Sequence, residues 1–361
     1  MTNYLLAGGG TAGHVNPLLA LADAIRAAEP DAGIWALGTA EGLESRLVPE
    51  RGYTLLTVPR LPFPRRLNAA ALRFPARYAA SVAQVVGYLK QHSIDVVVGF
   101  GGYASAPAYT AARRLGIPVV IHEANALPGM ANRMAARRAS AVGVAFRNTK
   151  LPQATFVGMP LRREIEALAS GVTLADRFAA RAHFGLDEST TTLLVTGGSL
   201  GAKRLNETIE SSRPALKAAG IQVLHIVGER SEFEVETQPD FVRIKYCDRM
   251  DLALTAADFV VCRAGSATVS ELTAIGVPAV YVPYPVGNGE QKFNVADVVD
   301  AGGGLMCLDV DFTAEWVRTN LIPLVSDSRT RGNIAAAAKK VGVADGSARL
   351  LNLVRSVLVK R

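Results

Sequence analysis

The chain has few cysteines, few aromatic residues and no long apolar run. Its 361 residues include three cysteines, Cys247, Cys262 and Cys307. Their spacing fits no metal-binding pattern, which predicts reduced, buried thiols in a cytosolic protein. Aromatic residues make up 6% of the chain, which argues against a nucleic-acid partner whose bases would stack on them. No apolar run approaches the roughly 18 residues of a membrane-spanning helix, and the first residues do not resemble a signal peptide. Any contact with a membrane is expected to be peripheral.

Acidic residues are missing from one long stretch. Between Arg51 and Ile94 there are seven basic residues and no Asp or Glu. Residues 1–160 contain 16 Lys and Arg against 8 Asp and Glu, whereas residues 161–361 contain 23 against 24. The net charge of +7 therefore originates in the first part of the chain. Such an asymmetry predicts an anionic partner for that part.

Part of this stretch interleaves arginines with bulky apolar residues and prolines. Two interpretations are open, a peripheral membrane patch and a solvated connector with scattered apolar anchors. The composition favours the membrane patch, because apolar insertion and attraction to anionic lipid combine in such surfaces. Its candidate residues are Leu61, Phe63, Arg65, Arg66, Leu67, Leu72, Arg73, Phe74 and Arg77.

Short aliphatic segments alternate with longer amphipathic ones, and this pattern occurs twice. It is typical of an α/β fold with doubly wound parallel sheets. Leu5–Gly13 is echoed by Leu193–Gly201, which predicts two Rossmann-like domains of one plan. A Gly/Pro break places the boundary after Pro160, giving domains of residues 1–160 and 161–342, followed by an amphipathic helix over about 343–361.

Three glycine-rich loops follow predicted strands. Gly8-x-Gly10-x-x-Gly13 matches a dinucleotide fingerprint, but the second strand ends in Leu37-Gly38-Thr39 without the acid of an NAD site. Glycine loops before helices bind phosphates through backbone N–H groups. We therefore expect a cleft in which loops of both domains bind phosphate groups. The other two loops are Gly99–Tyr103 and Gly197–Gly201, and the candidate phosphate contacts include Gly10, Gly13, Gly101, Gly102 and Tyr103.

Three further groups of residues could carry chemistry. His14 ends the first loop, where it could act as a general base or simply cap its own helix. Glu271 in the segment Arg263–Glu271 could bind sugar hydroxyls or lie on a helix surface. The Asp309-Val310-Asp311 sequence could hold a metal ion, but its position before a helix start favours turn or cap chemistry.

These motifs together resemble the MurG family of glycosyltransferases. The segments that carry the resemblance are Gly8–His14, Gly99–Tyr103, His122–Asn125, Gly197–Ala202, Arg263–Glu271 and Gly289–Gln291. The resemblance implies a GT-B architecture of two Rossmann-like domains, with the C-terminal helix returning to the first. It also implies transfer of N-acetylglucosamine from its UDP sugar to a lipid-linked muramyl-pentapeptide of peptidoglycan synthesis. Asn288–Gln291 is similar to the actinobacterial branch of the family.

The resemblance also implies donor contacts and a location. Glu271 would hold the ribose, Gln291 the sugar, and Arg162 the diphosphate. The protein would act as a peripheral protein on the cytoplasmic face of the membrane. Two positions depart from the family pattern, because Glu290 stands in place of Gln and Met159 in place of Asn. The full set of implied donor contacts is Thr11, Ala12, Gly13, Asn125, Arg162, Ser199, the backbone near Cys247, Ser266, Ala267, Thr268, Val269, Ser270, Glu271 and Gln291.

The mechanism we expect is direct inversion at the anomeric carbon. His14 would take the proton of the acceptor 4-hydroxyl, and no metal or other cofactor would be needed, because helix N-termini and Arg162 stabilise the leaving diphosphate. The alternatives are a UDP-N-acetylglucosamine 2-epimerase and a catalytically idle nucleotide-binding or membrane-scaffold protein. The epimerase would not need a basic, apolar patch, and the scaffold would leave His14 and the glycine loops without a purpose.

Overall fold

The computed structural model describes residues 1–64, 69–286 and 288–359. Two compact units are present, one made of Met1–Arg162 with Asp345–Arg361 and the other of Arg163–Ala344. Arg65, Arg66 and Leu67 of the predicted membrane patch lie outside the described residues. No helix in the described part is long and apolar enough to cross a membrane.

The first unit is built on a parallel sheet with helices on both faces. The strand order is β3-β2-β1-β4-β5-β6-β7, so the chain reverses direction across the sheet between β1 and β4. The strands are β1 (Asn3–Gly8), β2 (Gly33–Gly38), β3 (Thr54–Thr57), β4 (Val96–Gly101), β5 (Val119–Glu123), β6 (Ala141–Val144) and β7 (Ala154–Phe156). The helices are α1 (Ala12–Ala28), α2 (Glu44–Glu50), α3 (Ala69–Gln91), α4 (Ser105–Arg114) and α5 (Met130–Ala136).

The second unit repeats the plan. Its strand order is β10-β11-β9-β8-β12-β13-β14, parallel except for the β10–β11 pair, with the reversal between β8 and β12. The strands are β8 (Thr191–Thr196), β9 (Ile221–Ile226), β10 (Glu236–Gln238), β11 (Phe241–Ile244), β12 (Phe259–Cys262), β13 (Ala279–Tyr281) and β14 (Leu305–Met306). The helices are α6 (Arg163–Ala169), α7 (Leu174–His183), α8 (Lys203–Ala218), α9 (Met250–Ala256), α10 (Ser266–Ile275), α11 (Glu290–Asn294), α12 (Ala296–Asp300), α13 (Ala314–Trp316), α14 (Ile322–Ser326) and α15 (Ser328–Val341), with a π-helical turn at Val317–Leu321 before α14.

Strand residues of the first sheet are buried on both faces, which explains their continuous aliphatic sequence. Leu6 and Val98 belong to the core on one face, whereas Leu5 and Val97 belong to the core on the other. The doubly wound α/β prediction is confirmed for both units. The predicted domain boundary after residue 160 lies two residues before the end of the first unit's main segment.

The C-terminal helix α16 (Gly346–Leu358) packs within the first unit. Leu350, Leu351 and Val354 are buried in the same core as Leu18 of α1. Arg355 adds a charge-assisted bond, because its Nη2 lies 2.8 Å from a Glu29 carboxylate oxygen. Apolar burial on one face of α16 therefore anchors the C-terminus to the β1–α1 part of the sheet.

Two helix starts differ from what the sequence pattern predicts. The amphipathic pattern predicts a helix over His14–Ala28, but α1 begins at Ala12, because Thr11 is extended and its carbonyl accepts from the N–H groups of His14 and Val15. The pattern also predicts a helix over Tyr103–Leu115, but α4 begins at Ser105. His14 thus lies in the first turn of α1, and Tyr103 lies in the preceding loop.

Candidate active site

The loops after β1 and β4 meet at the reversal point of the first sheet. This is the position where open α/β sheets bind ligands. The Ser105 hydroxyl accepts a hydrogen bond from Gly101 N and lies 2.8 Å from the Ala7 carbonyl oxygen, so it joins the two strand ends. Gly102 has a φ of +83°, and a Cβ there would come within 2.5 Å of the Gly9 carbonyl oxygen. Only glycine permits this close approach of the two loops.

The imidazole of His14 is oriented by the first glycine loop. Its Nδ1 lies 3.1 Å from the Gly9 carbonyl oxygen and 3.2 Å from Thr11 Oγ1. A carbonyl oxygen can only accept, so this hydrogen bond assigns the proton of the neutral ring to Nδ1. Nε2 then carries the lone pair, and a Cβ on Gly101 would come within 3.1 Å of it. The geometry leaves His14 able to accept a proton at Nε2.

Glu44 is a buried acid below the first glycine loop, and sequence reasoning missed it. One carboxylate oxygen accepts from Gly10 N at 2.8 Å, and the other accepts from Thr39 N and Thr39 Oγ1, both at 2.8 Å. Burial raises the pKa of this carboxyl, but the hydrogen bonds from Gly10 and Thr39 outweigh burial and hold the pKa below its usual value. The backbone N–H of Gly10 therefore already has Glu44 as its partner, and the predicted phosphate contact through Gly10 stays a prediction.

Glu44 also changes the reason for excluding an NAD site. The second strand does end without an acid, but α2 brings the Glu44 carboxylate to this strand end from five residues beyond Thr39. Both of its oxygens are occupied by backbone and hydroxyl donors of the protein. The carboxylate therefore supports the glycine loop, and the role of binding a ribose would require breaking these bonds.

A second buried carboxylate, Glu123, organises the end of β5. It accepts from the backbone N of Asn125 at 2.9 Å and of Gly129 at 3.0 Å, and from Asn132 Nδ2 at 2.9 Å. The Tyr109 hydroxyl donates to Asn132 Oδ1 at 2.7 Å. This network fixes the backbone around Asn125, a predicted donor contact. Sequence reasoning missed Asn132, although the acid and amide at the end of an apolar strand gave a signal for a buried polar network.

In the second unit, the glycine loop after β8 packs directly on backbone. Gly201 has a φ of +86°, and a Cβ there would come within 2.3 Å of the Val227 carbonyl oxygen. The Ser199 carbonyl accepts from Glu229 N at 2.9 Å. This leaves the side chain of Ser199 exposed between β8 and α8. Its placement is compatible with the predicted donor contact.

The side chain of Gln291 connects two strand-end loops of the second unit. Its Oε1 accepts from Ala264 N at 3.2 Å and from Tyr284 N at 2.8 Å. Because both partners are donors, the side-chain oxygen is assigned to this side and the NH₂ group to the other. Asn294 Nδ2 donates to the Ala264 carbonyl at 3.2 Å. Helix α11 therefore holds the loop between β12 and α10 and presents the Gln291 NH₂ group as a donor.

The residues of the Ser266–Glu271 segment divide into two groups. Gly265 is the N-cap of α10, so the N–H groups of Ser266, Ala267 and Thr268 have no partner within the helix. The N–H of Val269 donates to the Gly265 carbonyl at 3.0 Å, and the side chains of Val269 and Ser270 are buried. Glu271 is half-buried one turn into the helix. Val269 and Ser270 are thus placed for packing, whereas the first three residues present N–H groups at the helix start.

The Asp309-Val310-Asp311 sequence forms a turn whose first carboxylate is paired. Asp309 lies 2.6 Å from Arg263 Nη1 and 3.4 Å from Arg204 Nε. The Asp311 N–H donates to the Leu308 carbonyl, and Thr313 caps α13. Among the described residues, no group of three or more His, Cys, Asp and Glu side chains is placed to hold a metal ion. The expectation that no metal is required stays a prediction.

Two family models match the chain. The N-terminal domain model of glycosyltransferase family 28 matches residues 4–144, and the C-terminal domain model matches residues 192–350. An enzyme from Clavibacter michiganensis subsp. michiganensis is 58% identical over 100% of this chain and 98% of its own length. Its name is UDP-N-acetylglucosamine–N-acetylmuramyl-(pentapeptide) pyrophosphoryl-undecaprenol N-acetylglucosamine transferase. The chain belongs to the MurG family within glycosyltransferase family 28.

Further relatives extend this result. The enzyme of the same name from Streptomyces coelicolor is 47% identical over 99% of both chains. The crystal structure of Acinetobacter baumannii MurG superposes with a TM-score of 0.79 at 27% identity and covers 99% of this chain and 100% of that one. A Listeria monocytogenes protein described as a UDP-N-acetylglucosamine 2-epimerase superposes at 0.70 but is only 14% identical, over 99% and 96% of the two chains, and shows the fold alone. The predicted resemblance and the GT-B fold are confirmed.

The remaining MurG-family positions are distributed over both units. Arg162 is half-buried at the end of the first unit's main segment, and Cys247 is buried in the loop after β11. Met159, one of the two departures, is buried and packs inside the first unit. Glu290, the other, is the first residue of α11, where a carboxylate interacts favourably with the positive end of the helix.

The described part of the basic, apolar segment adjoins the Gly99–Tyr103 loop. The Arg60 guanidinium carbon lies 5.2 Å from the centre of the Tyr103 ring. Phe63 packs edge-on against Phe74 at 5.4 Å between ring centres. Leu72 is 85% exposed at the start of α3, and Arg73 and Arg77 are exposed beside it, whereas Leu61 is half-buried. Apolar and cationic side chains thus share one surface of the first unit.

Proposed function

We propose that His14 is the general base of the sugar transfer that this family performs. The chain transfers N-acetylglucosamine from its UDP sugar to the lipid-linked muramyl-pentapeptide acceptor of peptidoglycan synthesis, as the names of relatives at 47–58% identity over its whole length indicate. The observation that carries the role of His14 is its ring orientation, with Nδ1 held by the Gly9 carbonyl and the Nε2 lone pair beside Gly101.

The proton and the leaving group follow from this orientation. The 4-hydroxyl of the muramyl sugar attacks the anomeric carbon, with inversion, as Nε2 of His14 takes its proton. The bond from the anomeric carbon to UDP breaks, and the diphosphate carries away the electron pair. N–H groups at a helix start and the Arg162 guanidinium stabilise that charge without a metal ion.

Within the second unit, the proposed sugar-nucleotide contacts are made by donors and acceptors at the strand ends and helix starts. Ser199 offers a hydroxyl, the start of α10 offers N–H groups, Glu271 accepts from ribose hydroxyls, and Gln291 donates its NH₂ group to the sugar. In the first unit, Thr11, Ala12, Gly13, Asn125 and Arg162 belong to the same proposed donor set.

The role of His14 is tested by His14→Ala. We expect turnover with a lipid-linked acceptor to fall about 10²- to 10⁴-fold, the usual contribution of a general base, with unchanged affinity for UDP-N-acetylglucosamine. Near-normal turnover of folded protein would show that another group takes the proton. Incubation of the wild-type protein with the UDP sugar alone serves as a control, because an epimerase would convert it without an acceptor.

The exposed surface around Leu72 is proposed to rest on the cytoplasmic face of the membrane. Leu72 and Phe63 would insert among lipid chains, and Arg73 and Arg77 would contact anionic headgroups, each charge contributing about 1 kcal/mol. Arg65, Arg66 and Leu67 belong to the same proposed patch by sequence. This surface would bring the acceptor's diphosphate to the first glycine loop, with Gly10 and Gly13, and to the loop after β4, with Gly101, Gly102 and Tyr103.

The membrane proposal is tested with anionic liposomes. Leu72→Ser is expected to weaken binding, and salt is expected to weaken it further. Leu174→Ser is the matched control, because Leu174 is 72% exposed but lies in the second unit. Equal liposome binding by wild type and Leu72→Ser would place the membrane contact elsewhere.

A further inference from the structure

The hydrogen bonds of Glu44 and His14 converge on a single peptide group. Glu44 accepts from the N–H of Gly10, and His14 Nδ1 donates to the carbonyl of Gly9. That N–H and that carbonyl belong to the peptide bond that joins Gly9 to Gly10. In a planar trans peptide these two groups point in opposite directions, so the carboxylate and the imidazole lie at opposite ends of one dipole.

This arrangement couples the carboxylate to the imidazole. A hydrogen bond from an N–H to an anion polarises the peptide and makes its carbonyl oxygen a stronger acceptor. A stronger acceptor at Nδ1–H holds the ring in one tautomer and stabilises the positive charge that forms when Nε2 takes a proton. A carboxylate bonded directly to a catalytic histidine has the same two effects.

The surroundings of Glu44 require a carboxylate. In the described part of the chain, the hydrogen-bond partners seen for its oxygens are donors, with Gly10 N on one side and Thr39 N and Oγ1 on the other. A Gln of the same shape would place an NH₂ group against one of these donors. A Cβ added to Gly9 would come within 2.2 Å of the Glu44 carboxylate, and a Cβ added to Gly42 would come within 2.1 Å of it. A Cβ added to Gly38 would come within 2.4 Å of the Glu44 side chain. Three glycines therefore leave room for this one side chain.

We propose that Glu44 is a positioning residue that orients and polarises His14 through the Gly9–Gly10 peptide. The inference rests on the proposed function in one respect, the role of His14 as the base. Glu44 does not contact the reacting atoms, and its effect on turnover passes through the tautomer and the orientation of the imidazole ring.

The first test is Glu44→Gln, with two readouts. We expect kcat to fall about ten- to a hundredfold, as for other residues that orient a catalytic ligand, with an unchanged KM for UDP-N-acetylglucosamine. The nitrogen chemical shifts of the His14 ring, measured by NMR on ¹⁵N-histidine-labelled protein without substrate, should change from the Nδ1–H tautomer toward Nε2–H. Glu50→Gln is the control, because Glu50 lies exposed on the same helix and pairs only with Arg46 among the contacts seen.

A second variant keeps the charge and moves it. Gly42→Ala would displace the carboxylate, and we expect it to cause the same change of tautomer. This variant replaces Glu44→Gln as the test if Glu44→Gln does not fold. In a His14→Ala background, Glu44→Gln should lower kcat no further, because its effect passes through the missing ring. An additive loss in the double variant, or an unchanged Nδ1–H tautomer in folded Glu44→Gln, would overturn the proposal.

The tautomer measurement needs no turnover. If His14→Ala kept its activity while Glu44→Gln changed the His14 tautomer, the base assignment would fail and the coupling between Glu44 and His14 would stand.

Discussion

Replacing Gln291 by Glu separates two contributions of one side chain. The carboxylate keeps an acceptor for the N–H groups of Ala264 and Tyr284, which lie 3.2 and 2.8 Å from the present Oε1. It removes the NH₂ group, which we expect to donate to a hydroxyl or acetamido oxygen of the sugar. The loop between β12 and α10 should stay in place, while one hydrogen bond to the donor sugar is lost.

The size of the effect follows from the contribution of one neutral hydrogen bond. A net loss of about 0.5–1.5 kcal/mol corresponds to a weaker affinity for UDP-N-acetylglucosamine by about two- to twelvefold. The new negative charge also repels the diphosphate, and this repulsion acts at least as strongly on UDP, because its terminal phosphate carries more charge than the diphosphate of the UDP sugar. The informative quantity is therefore the ratio of the affinity for the UDP sugar to the affinity for UDP.

Isothermal titration of both ligands against wild type and Gln291→Glu gives this ratio. We expect the ratio to fall by the two- to twelvefold estimated for the bond, with the melting temperature unchanged. An equal loss for UDP and for the UDP sugar would show that the Gln291 NH₂ group does not contact the sugar.

Three further outcomes are expected. Leu350→Ala should lower the free energy of unfolding by about 2–5 kcal/mol in urea titrations, because Leu350 is fully buried in the first unit's core; a loss below 1 kcal/mol would contradict this packing. Burial lowers the pKa of His122 to about 4. Between about pH 6.5 and 4 the unfolded chain therefore binds a proton at this residue that the folded protein does not, and the free energy of unfolding decreases as the pH is lowered. When the pH is lowered from 7 to 5, the free energy of unfolding of His122→Asn should therefore decrease by about 2 kcal/mol less than that of wild type. Equal decreases for the two proteins would show that the pKa of His122 is not lowered by burial. Turnover should survive exhaustive EDTA treatment. Loss of turnover that is restored by adding a divalent ion would show that the metal-free mechanism is wrong.

Several features could be predicted from the sequence because they depend on local physics. Continuous aliphatic runs such as Val96–Val98 are typical of strands buried on both faces, and the repeated strand–glycine–helix pattern predicts two Rossmann-like units. Gly101 and Gly102 could be placed at a strand end, since loops of this composition follow parallel strands. The combination of motifs also identified the MurG family, and relatives over the whole chain confirm it.

Contacts between residues distant in sequence could not be predicted in the same way. Glu44 reaches Gly10 across 34 positions, and no local pattern distinguishes it from the exposed Glu50 one helix length away. The start of α1 at Ala12 depends on the extended backbone of Thr11, which a glycine-rich sequence leaves undetermined. The sequence alone determined the alternation of elements and the residue types at the strand ends, because periodicity and glycine are local. Only the tertiary structure decided which polar groups meet there, since a buried carboxylate or amide is stable only when folding brings enough distant donors and acceptors to it.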